Sequence, residues 1–199
     1  MTLGRPRAFD VDDALDKALI VFWEKGYEGT SIADLTEAIG INPPSLYAAF
    51  GNKEALFRRA LDRYETHRDR ILNEAFAAPT ARAAITKLLE GTADRLSDKS
   101  MPQGCLLVQA ALCGGEECDA VKRDLAARRA EGETLIRTRL ERAKAEGDLP
   151  AGADPVALAR YVSTIMQGMA VQAAGGATRV QLREIARLAL NAWPSGTGS

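Results

Sequence analysis

The sequence predicts an all-α fold of about nine helices. Apolar residues recur at three- and four-residue spacing in nearly every assignable segment, glycine and proline punctuate the chain at helix-length intervals, and no segment alternates with the two-residue period of a strand. Within its 199 residues, 26 Lys and Arg stand against 27 Asp and Glu, beside 46% hydrophobic residues. Such a chain can bury a real core, which excludes disordered and fibrous classes.

The first helix is read from Val11, Ala14, Leu15, Ala18, Leu19, Phe22 and Trp23, capped by Asp10 and stopped at Gly26, so it spans about Val11 to Lys25. Ser31 with Asp34 three residues on forms a capping-box start for a second helix reaching about Ala38. Gly40 then permits a positive φ, Asn42 caps, and Pro43 opens a third helix that Gly51 ends after Phe50. Asn52 caps a fourth helix carrying Leu56, Phe57, Ala60, Leu61 and Tyr64. Beyond Pro79, a stripe from Ala84 to Leu96 marks the fifth, and Cys105 to Cys113 reads as a short sixth. A long charged helix follows from about Glu116 to Glu146, with Val121, Leu125, Leu135, Ile136 and Leu140 as its apolar face. Asp154-Pro155 starts a helix ending at Gly175-Gly176, and the last runs from about Arg179 to Ala192.

Several function classes are disfavoured by composition. A single histidine, His67, leaves little scope for a nucleophile pair. Cys105, Cys113 and Cys118 fit neither a disulfide framework nor zinc spacing, so no metal or cofactor is expected. There is no phosphate-binding glycine loop and no nucleophile elbow, which argues against an enzyme. No apolar run could span a membrane, and the N-terminal MTLGRPRAFD lacks the apolar core of a signal peptide, so a cytoplasmic protein without a membrane partner is expected.

The second and third helices, joined through Gly40 with Leu35, Ile39, Ile41 and Leu46 turned toward one another, have helix-turn-helix spacing. A structural helical hairpin, as in an adaptor without nucleic-acid function, is the competing reading. The residues carry a resemblance, through Gly26-Tyr27-Glu28-Gly29-Thr30-Ser31, Gly40-Ile41-Asn42-Pro43-Pro44-Ser45-Leu46-Tyr47-Ala48-Ala49-Phe50 and Asn52-Lys53-Glu54-Ala55-Leu56. This stretch resembles the DNA-binding domain of TetR-family transcriptional regulators. It departs from that pattern at Thr36, where alanine is usual, and at Pro43-Pro44, where Lys-Gly is common.

The resemblance implies a helix-turn-helix DNA-binding domain over residues 7–66, with the turn motif at about 31–50, and a helical ligand-binding and dimerisation domain over 67–194. It also implies a homodimer on a palindromic double-stranded operator and a small-molecule inducer. Candidate DNA contacts are Arg5, Arg7, Thr30, Ser31, Asn42, Pro43, Pro44, Ser45, Tyr47, Ala48 and Lys53. Tyr47, Ser45 and Thr30 are hydroxyl donors suited to phosphate oxygens, and Lys53 can reach the backbone electrostatically. The third helix has no Arg, Lys or Gln, so base reading falls to Pro43, Pro44 and Ala48 against thymine methyls and to DNA shape. Arg5 and Arg7, around Pro6, suit a minor-groove arm. Seven cations face nine acids up to Ala60, so affinity must come from placed charges.

Val156 to Ala174 holds one charge, Arg160, and is apolar on most sides, which predicts burial against both its own domain and a partner. Met169, Ala173, Leu182, Ile185 and Leu188 are the candidate interface residues. Candidate ligand contacts are Cys105, Leu106, Gln109, Met166, Met169 and Gln172. A thiol at a helix start feels the positive end of the dipole, so Cys105 also offers an alternative input by oxidants or electrophiles.

Overall fold

The computed structural model describes residues 9–109 and 119–194, apart from the side chain of His67. Nine helices and no strand occur among the described residues. They form two compact units divided between His67 and Arg68.

In the first unit, α1 (Val11–Gly29) starts where the Asp10 carboxylate accepts the amides of Asp12 at 2.8 Å and Asp13 at 3.3 Å. Its regular course ends at Gly26, whose φ of 70° and ψ of 172° interrupt the helix before one further turn. Helix α2 (Ile32–Ile39) carries the full Ser31–Asp34 capping box. Gly40 closes it at φ 80°, the left-handed region where a β-carbon is strained. Helix α3 (Pro43–Phe50) follows at once, with the Asn42 side chain accepting the Ser45 amide at 2.9 Å. Helix α4 (Lys53–Phe76) contains the division between the units.

The core of the first unit is aromatic. Phe22 meets Phe57 edge-on at 4.9 Å, Trp23 meets Tyr64 edge-on at 4.8 Å, and Leu35 and Leu46 are wholly buried beside them. Removing a buried ring such as Phe57 would cost about 3–5 kcal/mol. Arg63 of α4 also grips Asp16 of α1 through two hydrogen bonds of 2.8 Å, so both ends of the unit's sequence are tied together.

The second unit comprises the rest of α4 with α5 (Ala81–Leu96), α6 (Leu106–Gln109), α7 (Asp119–Ala145), α8 (Pro155–Ala174) and α9 (Arg179–Asn191). Helix α8 packs against α5, α7 and α9 and supplies Ala159, Val162, Met169, Ala170 and Ala173 to the core. Asp94 of α5 accepts from Arg179 at 2.7 Å and from Arg183 at 2.9 and 2.8 Å, fastening α9 to α5. Arg139, almost fully buried, turns inward from α7 to the carbonyls that end α4.

Two expectations change. Leu135 does not join the apolar face of α7: it is 41% exposed, and the buried line runs through Val121, Leu125, Ile136, Leu140 and Ala143. Cys105 precedes α6 rather than opening it, its carbonyl accepting the amides of Val108 and Gln109. The expected course of that helix to Cys113, and the start of the next at Glu116, lie outside the described residues, as do Cys113 and Cys118.

Candidate nucleic-acid interface and ligand cavity

Helix α3 is held from behind and open in front. Leu46 and Phe50 are buried, whereas Pro43, Pro44, Tyr47 and Ala48 are exposed. That division follows from the sequence PPSLYAAF, whose two large inward residues are four apart and so share one face. Behind the helix, Arg59 of α4 lies over the Phe50 ring at 5.0 Å and donates to the Ala49 carbonyl at 3.4 Å. It is a positioning residue that periodicity could not reveal, because it acts through a ring and a backbone carbonyl.

The outer face offers hydroxyl and methyl groups but no formal charge. Tyr47 is 48% exposed, and its hydroxyl makes no hydrogen bond among the described residues. Ser45 is half-buried. Lys53 places its ammonium 4.5 Å from the centre of the Tyr27 ring, a contact that restrains the side chain without neutralising it.

Caps account for part of the candidate list. The Ser31 hydroxyl donates to Asp34 at 2.7 Å and accepts its amide at 3.1 Å, and the Asn42 side chain is held by Ser45. The Asp34 carboxyl sits well below the usual range, first through its hydrogen bond with Lys25 at 2.6 Å and then through Ser31. Thr30 does not present its hydroxyl outward as expected: the residue is 1% exposed and donates to the Gly26 carbonyl at 2.6 Å, closing the chain after the Gly26 break. Arg5 and Arg7 lie outside the described residues.

The second unit forms a half-open cavity of about 90 Å³ between α4, α5, α7, α8 and the α6 region. Leu72, Leu88 and Ile136 give it apolar walls, and of the candidate ligand contacts Cys105 and Met166 line it. The other ligand candidates do not: Leu106 and Met169 are core, Gln172 is exposed, and Gln109 donates to the Gln103 carbonyl at 3.1 Å outside the lining. Arg68, Arg95, Arg129 and Glu133 line the cavity and were missed from the sequence.

The interface candidates divide similarly. Met169, Ala173 and Leu182 are each no more than 1% exposed within their own unit, so their surface is already used by the protomer. Ile185 is half-buried, and Leu188 at 54% and Val171 at 57% are exposed. The doubly apolar character of α8 therefore resolves into a buried face toward its own unit and an open face carrying Val156 and Val171.

Two short helices joined through a left-handed glycine, the second seated by a third and open along its outer face, define a helix-turn-helix protein. The family model described as bacterial regulatory proteins, tetR family, matches residues 14–60, and the one described as tetracyclin repressor-like, C-terminal domain, matches residues 80–188. The chain is 36% identical over 196 residues to the HTH-type transcriptional repressor ComR of Escherichia coli (strain K12), covering 96% of this chain and 92% of that protein. It is 32% identical over 193 residues to the HTH-type transcriptional repressor BdcR of the same strain, covering 94% and 90%. Among solved structures, a cysteine-substituted form of the TetR family transcriptional regulator CifR, complexed with 26 bp double-strand operator DNA, is 47% identical, with a TM-score of 0.93, covering 96% of this chain and 100% of that one. The chain belongs to the TetR family and is a DNA-binding transcriptional regulator. Among the described residues, no helix is long and apolar enough to cross a membrane.

Proposed function

We propose that the protein is a ligand-responsive repressor that binds a palindromic operator as a homodimer and leaves it when a small molecule fills the cavity of its second unit. The observation that carries the reading is the likeness, at 47% identity and a TM-score of 0.93, to a regulator complexed with operator DNA. In this reading residues 7–66 bind DNA and residues 67–194 bind ligand and partner. Helix α3 enters the major groove, with Tyr47 and Ser45 on phosphate oxygens, Lys53 adding charge, and Pro43, Pro44 and Ala48 against thymine methyls. Arg5 and Arg7 follow the minor groove. The partner covers the open surface of α8 and α9 at Val171, Ile185 and Leu188. A ligand that prefers the conformer with badly spaced recognition helices lowers operator affinity by population shift.

Fluorescence anisotropy with duplex DNA from upstream of the protein's own gene tests the reading, alongside light scattering. Specific, salt-dependent binding by a dimer is expected. A monomer that binds no duplex specifically at low salt would return the protein to the helical-adaptor reading.

A covalent form of the same input is favoured by one observation, the place of Cys105 in the cavity lining. Operator release by an electrophilic quinone in wild type, lost in Cys105→Ser, would support it. Equal release by both would leave a non-covalent inducer.

A further inference from the structure

The cavity has apolar walls and neutral polar groups at Thr92, Ser163 and Gln167, and its charged positions are mostly cationic. Arg68, Arg95 and Arg129 line it against one carboxylate, Glu133. That carboxylate is engaged elsewhere: although Glu133 stands one helical turn from Arg129, it pairs with Arg160 at 3.4 Å. Arg68 has Asp69 at 3.2 Å. Arg129 differs from both. Among the described residues its one hydrogen bond runs from Nη1 to the Leu107 carbonyl at 2.6 Å, and no carboxylate pairs with it. A carbonyl oxygen satisfies a proton but leaves the positive charge uncompensated. A half-buried guanidinium in that condition is completed by an anion able to accept from its remaining N–H groups.

We propose that the cavity selects a compact organic carboxylate, its carboxylate head on Arg129 and its hydrocarbon body against Leu72, Leu88 and Ile136. The inference rests on the reading of this cavity as the ligand site and adds the chemistry of the ligand. Size sets the rest: an enclosed space of about 150 Å³ holds benzene, so 90 Å³ takes a body of roughly three to four carbons, with larger groups extending through the mouth. The head must be anionic rather than merely polar, because a neutral amide leaves the guanidinium charge uncompensated. An amine would face three like charges.

Butanoate, hexanoate and benzoate, each with its matched amide and amine, should be titrated into the full-length protein. Thermal unfolding and anisotropy of bound operator are the two readouts. The expected result is at least tenfold tighter binding of a carboxylate than of its amide, with operator release over the same range. Arg129→Gln should abolish the preference, and Glu133→Gln, which removes the one acidic group of the lining, should strengthen carboxylate binding several-fold. Equal binding of acid and amide, preference for the amine, or an unchanged preference in Arg129→Gln would overturn the proposal. Because Arg129→Gln also disturbs the Leu107 contact, a weakening of carboxylate binding in Glu133→Gln counts against it independently. If neutral compounds release the operator from wild type but not from Gly132→Leu, whose side chain would grow from a lining position, the carboxylate assignment falls and the ligand site stands. Should no compound of either kind bind, both fall.

Discussion

The Arg139 guanidinium donates from Nη2 to the carbonyl of Ala78 at 2.9 Å, and from Nε to that of Phe76 at 3.2 Å, so a side chain of α7 caps the exit from α4. A positive group there suits the negative end of the helix dipole and satisfies carbonyls that α4 itself cannot. Arg139→Met should therefore destabilise the protein by about 2–4 kcal/mol, because acceptors are stranded in a buried place. Urea unfolding measures this, and Arg139→Lys should restore only part of the loss, since an ammonium lacks the fork.

Tyr47 and Thr30 should separate cleanly. Tyr47→Phe is expected to weaken binding to every operator sequence alike, by about 2- to 10-fold, as a lost phosphate hydrogen bond would. Thr30→Val should lower the stability of the first unit by about 1 kcal/mol and leave the dependence of binding on salt unchanged, since its hydroxyl serves Gly26. Anisotropy across a salt series, with melting curves for both variants, decides the matter.

Acid should loosen α9 from α5. Asp94 is lowered from the ordinary 3.8 to about 2, first by its hydrogen bond with Arg179 and then by Arg183. A depressed carboxyl stabilises the folded state above the unfolded value, so this contribution is complete well above 3.8 and disappears as pH falls through about 2. The pair is partly exposed and screened, so the effect is modest. Asp94→Asn should show a shallower decline in stability between those limits than wild type when unfolding is followed by circular dichroism.

Leu188→Glu should yield monomers that lose operator affinity, with the fold retained because the side chain is exposed in the protomer. Met169→Glu should instead unfold the second unit by burying an unpaired charge. Light scattering and circular dichroism distinguish these outcomes.

The helix-turn-helix was legible because its signals are local: a capping box at Ser31, a left-handed glycine at Gly40 and a cap before Pro43 each act within a few residues. The cavity was not. On α7 the inward line passes from Leu125 through Arg129 and Gly132 to Ile136, four, three and four residues apart, so an arginine and a glycine occupy positions where apolar residues were sought. A stripe assembled from apolar residues alone passed over both and admitted Leu135, which faces outward. Thr30 misled for the opposite reason. A hydroxyl beside a predicted interface suggests phosphate, whereas its partner is the Gly26 carbonyl four residues back, at the break in α1.

The outer surface of α3 carries no formal charge, and this separates two tasks that basic recognition helices combine. Attraction to a polyanion, which governs how often protein and duplex meet, must come from groups elsewhere on the molecule. In the proposed docking, discrimination between duplexes falls to prolines and a methyl group whose replacement would leave that attraction untouched. Substitutions at Pro44 or Ala48 can therefore redirect the protein to a new operator at nearly constant encounter rate, making its target sequence free to diverge while its general hold on DNA persists.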